Sequence, residues 1–123
     1  MPTIIVESTI DDARVERGFA RNVSLWLRGQ GVDVNHVITR FTTADPDRTF
    51  SGPFPLGPDA FAFVRCTIDQ ARPDGFRAAL AARIVRALSP SVAAHRVFVQ
   101  FEPVRPASHF VGSEVPGEAV ADA

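Results

Sequence analysis

Apolar residues recur along this chain with two different periods. Short β-branched and aromatic runs alternate with stretches whose apolar positions fall every three or four residues, the spacing of one helix face. The pattern also repeats. Ile5-Val6-Glu7-Ser8-Thr9-Ile10-Asp11 is echoed by Phe63-Val64-Arg65-Cys66-Thr67-Ile68-Asp69, and a helical pattern follows each, opening near Gly18-Phe19 and Gly75-Phe76. Both halves close on a β-like run, His36-Val37-Ile38-Thr39-Arg40-Phe41 and Arg96-Val97-Phe98-Val99-Gln100-Phe101. Strand, helix, strand thus occurs twice, and such self-similarity constrains the whole fold.

The first helix is expected near Asp12 to Leu27, with Val15, Phe19, Val23 and Trp26 on its apolar stripe, Asp11 as N-cap, and Gly29 and Gly31 as stops. The second is expected from Asp74 to Leu88, with Phe76, Leu80, Ile84 and Leu88 on one stripe, Pro73 at its entrance and Pro90 beyond its end. Asp45 to Asp59, rich in Pro, Gly and Asp, is a turn or short hairpin between halves spanning about 2–44 and 60–102 of one domain. The tail, 112–123, is small and polar and expected to be loosely held.

A strand-helix-strand unit this short implies a parallel pair with a right-handed crossover. Two such units related by a pseudo-twofold axis give an α/β fold, a four-stranded mixed sheet with both helices on one face. The opposite face is then expected to be apolar and to need a partner.

Composition narrows the chemistry. The chain has 123 residues, 46% hydrophobic and 22% charged, and a net charge of -1, so it carries enough apolar material for a core and no general attraction to polyanions. No nucleic acid or membrane partner is expected, since there is no continuous basic stripe and no apolar run near the roughly 20 residues that span a bilayer. With no signal-peptide pattern the protein is expected in the cytoplasm. All thirteen basic residues are Arg and there is no Tyr, which excludes lysine Schiff bases and phenolic acids. The lone Cys66 forms no internal disulfide and is expected to be a small buried apolar residue, and with the three scattered His it offers no metal-ligand spacing. Neither metal nor cofactor is expected.

Pro2 follows Met1 directly, and methionine before a small residue is normally removed. That leaves either a strand-starting proline, where a missing N–H costs nothing, or a secondary amine able to act as base or nucleophile. Ordinary α-amines titrate near 7.7 to 8.0 and a secondary amine starts higher, so activity at neutral pH requires a depressed value. One guanidinium about 6 Å away at an effective dielectric of about 20 contributes roughly 2.8 kcal/mol, on the order of two pK units before screening.

Met1-Pro2 ahead of a strand, the doubled β-α-β plan and Arg72 just before the second helix resemble the tautomerase superfamily, whose members use an amino-terminal proline. The resemblance covers most of the chain and is best over Phe63 to Phe101, notably Leu80-Ala81-Ala82-Arg83-Ile84-Val85. Within the superfamily the chain is most similar to the cis-3-chloroacrylic acid dehalogenase-like subgroup. Its length and layout also resemble 5-carboxymethyl-2-hydroxymuconate isomerase and malonate semialdehyde decarboxylase. The resemblance implies a homotrimer forming a β-α-β barrel, with Pro2 as the catalytic base and acid and Arg72 holding a small carboxylate substrate. Arg40 resembles an arginine of the muconate isomerase and is expected to assist. Four positions depart from the dehalogenase: Arg28 stands where that subgroup has a histidine, Asp69 where it has a second loop arginine, Gln100 where it has a tyrosine, and Gly112 at the position of its water-activating glutamate, with Glu114 close by.

Arg28 and Gln100 are therefore carried as candidate substrate contacts, with Phe110 as a candidate wall against a planar substrate; Phe98 and Phe101 are expected in core or subunit contact. His36 and His109, able to move protons near neutral pH, are expected to be structural or exposed. The expected function is cofactor-independent tautomerisation of an enol or 2-oxo acid. Two alternatives stand beside it: a hydratase, dehalogenase or decarboxylase of small unsaturated acids, and a binding protein that has kept the fold without catalysis, the outcome if Met1 is retained and the Pro2 nitrogen stays an amide.

Overall fold

Helix and strand follow the two hydrophobic periods. The computed structural model describes residues 2–117, in which β1 (Thr3–Ser8), α1 (Ala13–Gly29) and β2 (Ile38–Thr43) form the first unit. A hairpin of β3 (Phe50–Ser51) and β4 (Phe54–Pro55) leads to the second unit, β5 (Ala62–Asp69), α2 (Asp74–Leu88) and β6 (Val97–Val104). The sheet order is β2-β1-β5-β6: each unit contributes a parallel pair, and β1 meets β5 antiparallel at the centre. This is the duplicated, mixed four-stranded arrangement the repeat predicts. Both halves pair their strands with the same step, Thr3 opposite Ile38 and Ala62 opposite Val97. Arg40 therefore corresponds in the repeat to Phe98, while Gln100 lies in the same lateral row as Arg40, across Ile5 and Arg65.

Alternation along the strands decides what is buried. Ile4 and Val6 on β1 and Val64, Cys66 and Ile68 on β5 face inward, against Phe19, Val23 and Leu27 of α1 and Leu80, Ile84 and Leu88 of α2. The α1 stripe is thus rotated from the expected one: Leu27 takes the buried position, and Trp26 lies half-buried at its side against Phe76 of α2, ring centroids 5.6 Å apart.

Several boundaries differ from the sequence expectation for local reasons. Asp12, not Asp11, caps α1, its carboxylate accepting from Arg14 N at 2.9 Å. Gly29 remains helical, and the helix stops at Gln30, whose N–H bonds back to the Leu27 and Arg28 carbonyls. Asp33 caps a short 3-10 turn over Val34–His36, so His36 precedes β2 instead of belonging to it. β6 runs three residues past the expected Phe101, through Pro103, which an edge strand tolerates.

The face opposite the helices differs from the expected apolar one. Its rows are Thr42-Glu7-Phe63-Phe98 and Arg40-Ile5-Arg65-Gln100, so charged and apolar groups are interspersed. Exposed apolar atoms remain there, with Ile38 at 57% and Phe98 at 48% exposure. At the chain end, Gly112–Glu114 forms a 3-10 turn, and 118–123 lie outside the described residues. Among the described residues no helix is long and apolar enough to cross a membrane.

Candidate active site

Pro2 continues the inward series of Ile4 and Val6 and is buried, its carbonyl accepting from Ile38 N at 3.4 Å. Because β1 and β5 are antiparallel, the start of β1 lies beside the end of β5, which brings the loop after β5 to Pro2. The two segments form a pocket lined by Pro2, Val32, Ile68, Asp69, Arg72 and Phe76. Its free volume is only about 10 Å³.

The loop that carries Arg72 is fixed at several points. Gln70 N donates to Val104 O at 2.9 Å, Ala71 N to the Asp69 carboxylate at 2.9 Å, and Arg72 N to Asp69 O at 3.1 Å. Arg77, ion-paired to Asp74, donates from Nη1 to Arg72 O at 2.9 Å. The Arg72 guanidinium lies over the Phe76 ring, 4.6 Å from its centroid, within cation-π range. A guanidinium held over a ring face keeps the fork of donors in its own plane free for a carboxylate.

Beyond Asp69 the pocket adjoins a larger cleft of about 280 Å³, lined by His36, Asp69, Val104, Pro106, His109, Phe110 and Glu114. His36 Nε2 stands 3.8 Å from Glu114 Oε1 and 3.9 Å from Asp33 Oδ2. A neighbouring recess of about 250 Å³ shares His36, His109 and Phe110. Among the described residues, no group of three or more His, Cys, Asp or Glu converges as a metal-binding set.

No family model and no curated protein matches the chain. Solved structures do. A fused 4-OT, an asymmetric trimer, superposes with a TM-score of 0.77 over 97% of this chain and 98% of its own, at 12% identity. A malonate semialdehyde decarboxylase inhibited by 3-bromopropiolate gives 0.74 over 98% and 97%, at 16% identity. The macrophage migration inhibitory factor of Toxoplasma gondii gives 0.73 over 91% and 97%, at 14% identity. The chain has the tautomerase fold.

On this tautomerase fold the expected site residues divide into two groups. Pro2 and Arg72 come together, and Phe110 lines the adjoining cleft while remaining 56% exposed. Arg40 and Gln100 project from opposite edge strands on the helix-free face. Arg28 is exposed in the last turn of α1 and lines neither the pocket nor the cleft, because Leu27 has taken the inward position beside it. Phe76, Val32 and the cluster of His36, His109 and Glu114 were not singled out as a site by sequence. Phe76 reads equally well as core on its helical stripe, and the other three residues carry no spacing signal.

The pseudo-twofold axis also creates a counterpart at the far end of the sheet. There, Ala60 takes the place of Pro2 and Pro90 that of Val32, in a recess of about 350 Å³ lined also by Pro58, Asp59, Ser91, Ala93, His95 and Arg96. The Ala60 nitrogen is an internal amide.

Proposed function

We propose that this protein is a cofactor-independent tautomerase acting on a small enol or 2-oxo carboxylic acid, with Pro2, freed by removal of Met1, as general base and acid. The burial of Pro2 beside a stacked Arg72 carries this reading. Apolar neighbours and an adjacent cation both favour an uncharged amine, opposed in part by Asp69. In the proposed cycle the Pro2 nitrogen accepts the enol O–H proton, the carbonyl forms, and the same proton or one exchanged with water is returned to the former double-bond carbon. Arg72 holds the carboxylate and stabilises charge on the developing carbonyl. No atom is added or lost.

The test is ketonisation of phenylenolpyruvate and 2-hydroxymuconate by wild type and Pro2→Ala, with intact mass spectrometry of both. A mass lacking Met1 together with a loss of 100-fold or more in the variant is expected. Retained Met1, or an unchanged rate in Pro2→Ala, removes Pro2 from the chemistry and favours a binding role for the fold.

A second reading has its own observation. The His36 imidazole and the Glu114 carboxylate stand 3.8 Å apart in the adjoining cleft, and groups of these types so placed would support activation of water for hydration of an unsaturated acid on the same scaffold. Product analysis by NMR with an acetylenic acid separates the two, since hydration adds water and tautomerisation does not. A homotrimer belongs to this proposal as well, supported by the fused 4-OT, which is an asymmetric trimer: an assembly through the helix-free face would give Arg40 and Gln100 a route to a neighbouring pocket.

A further inference from the structure

We propose that the site selects acids with a single carboxylate and discriminates against diacids, and that Asp69 and Glu114 impose this selection. The inference rests on the proposed function and specifies its substrate class. The free volume beside Pro2 and Arg72 is small, about 10 Å³, so a substrate that engages both residues extends beyond the pocket itself. The adjoining space is the cleft of about 280 Å³, which shares Asp69 with the pocket and receives the remainder of the molecule.

The charge of that cleft is the deciding observation. Its lining includes two carboxylates, Asp69 and Glu114, and two imidazoles, His36 and His109, with no arginine. The single guanidinium of the pocket, Arg72, is held over Phe76 at the other end. A substrate whose first carboxylate engages Arg72 therefore directs its far end into a space that holds two carboxylates and two imidazoles and no guanidinium. A second carboxylate meets like charge from half-buried Asp69, where repulsion is screened less than at the surface, and from the more exposed Glu114. A neutral or hydrogen-bond-donating end meets acceptors and the Phe110 ring.

Two acids with the same five-carbon chain isolate the effect: 2-oxopentanoate has one carboxylate and 2-oxoglutarate two. Trp26, the only tryptophan, touches Phe76 and reports occupancy of the pocket by fluorescence. Wild type is expected to bind 2-oxopentanoate at least tenfold more tightly than 2-oxoglutarate. In Asp69→Asn combined with Glu114→Gln the preference is expected to shrink to within about threefold, through gained diacid affinity. The Asn keeps the oxygen that accepts from Ala71 N. The kcat/KM values for phenylenolpyruvate and 2-hydroxymuconate are expected to follow the same order and the same shift. Equal or tighter diacid binding by wild type overturns the proposal, as does a double variant that changes both affinities alike. Binding with the expected preference but no ketonisation leaves the selectivity standing and overturns the function it rests on. Saturable binding of neither acid overturns both.

Discussion

Ser8 and Cys66 occupy equivalent inward positions in the two halves, and their surroundings give them different chemistry. The Ser8 hydroxyl donates to Phe61 O at 2.8 Å and accepts from Ile10 N at 3.0 Å, so its burial is satisfied. The Cys66 thiol lies fully inside the apolar core, and desolvation pushes its pKa from 9.0 up to about 12. The sign of the linkage follows: an unfolded chain loses this proton near pH 9 and the native one near 12, so the native state is progressively disfavoured as pH rises between them. With neither Lys nor Tyr in the sequence, Cys66 is the only side chain that titrates in that window. The thermal midpoint of wild type is expected to fall steadily from pH 9 to 11, and that of Cys66→Ala to stay much flatter, as differential scanning fluorimetry will show. At neutral pH the native thiol is expected to resist disulfide reagents until the protein unfolds. A second prediction concerns Phe76. Phe76→Leu conserves bulk and removes the ring beneath Arg72, and is expected to raise KM for a carboxylate substrate about 3- to 10-fold with a smaller effect on kcat. Steady-state kinetics with phenylenolpyruvate checks this. At this scale the sequence was partly legible. Pro2 and Arg72 stood out through position and resemblance, whereas His36, His109 and Glu114 converge only through the path of the chain after β6.

The elements follow from local signals wherever the apolar period and the caps agree. α2 was readable to both ends, Asp74 and Leu88, because proline brackets it and its stripe is regular. α1 was readable in existence but not in face or end. Trp26 and Leu27 compete for the inward position, and the amphipathic indole is the one left half in water. The hairpin β3-β4 was legible as a turn, since Gly52, at φ 57, adopts the left-handed conformation that glycine takes without steric cost. One substitution tests the cap that fixes the start of α1. Asp12→Ala removes the acceptor for Arg14 N and is expected to cost about 1 kcal/mol, visible as a drop of a few degrees in the thermal midpoint. Asp12→Asn keeps the acceptor and is expected to restore most of that loss, while Asp11→Ala is expected to leave stability within about 0.5 kcal/mol.

At the scale of the whole molecule, the duplication was legible and the character of the helix-free face was not. A two-residue period says which residues share a face, but the lateral rows depend on how β1 meets β5. That pairing sets Arg40 and Arg65 on either side of Ile5. The proposed assembly through this face gives a direct test. Ile38→Asp and Phe98→Glu change exposed residues and are expected to keep the circular dichroism of wild type, while abolishing both association in analytical ultracentrifugation and ketonisation; a fully active monomer would sink the shared-pocket arrangement. The recess around Ala60 has a practical consequence. Its backbone nitrogen is acylated, so the proton transfer proposed at Pro2 has no counterpart there, and β5, eight residues long, separates the two ends by roughly 20–25 Å. With no lysine elsewhere in the chain to compete, a lysine introduced at exposed Ser91 would supply a single side-chain anchor for coupling the protein to a solid support, holding it by the end opposite the proposed site at Pro2.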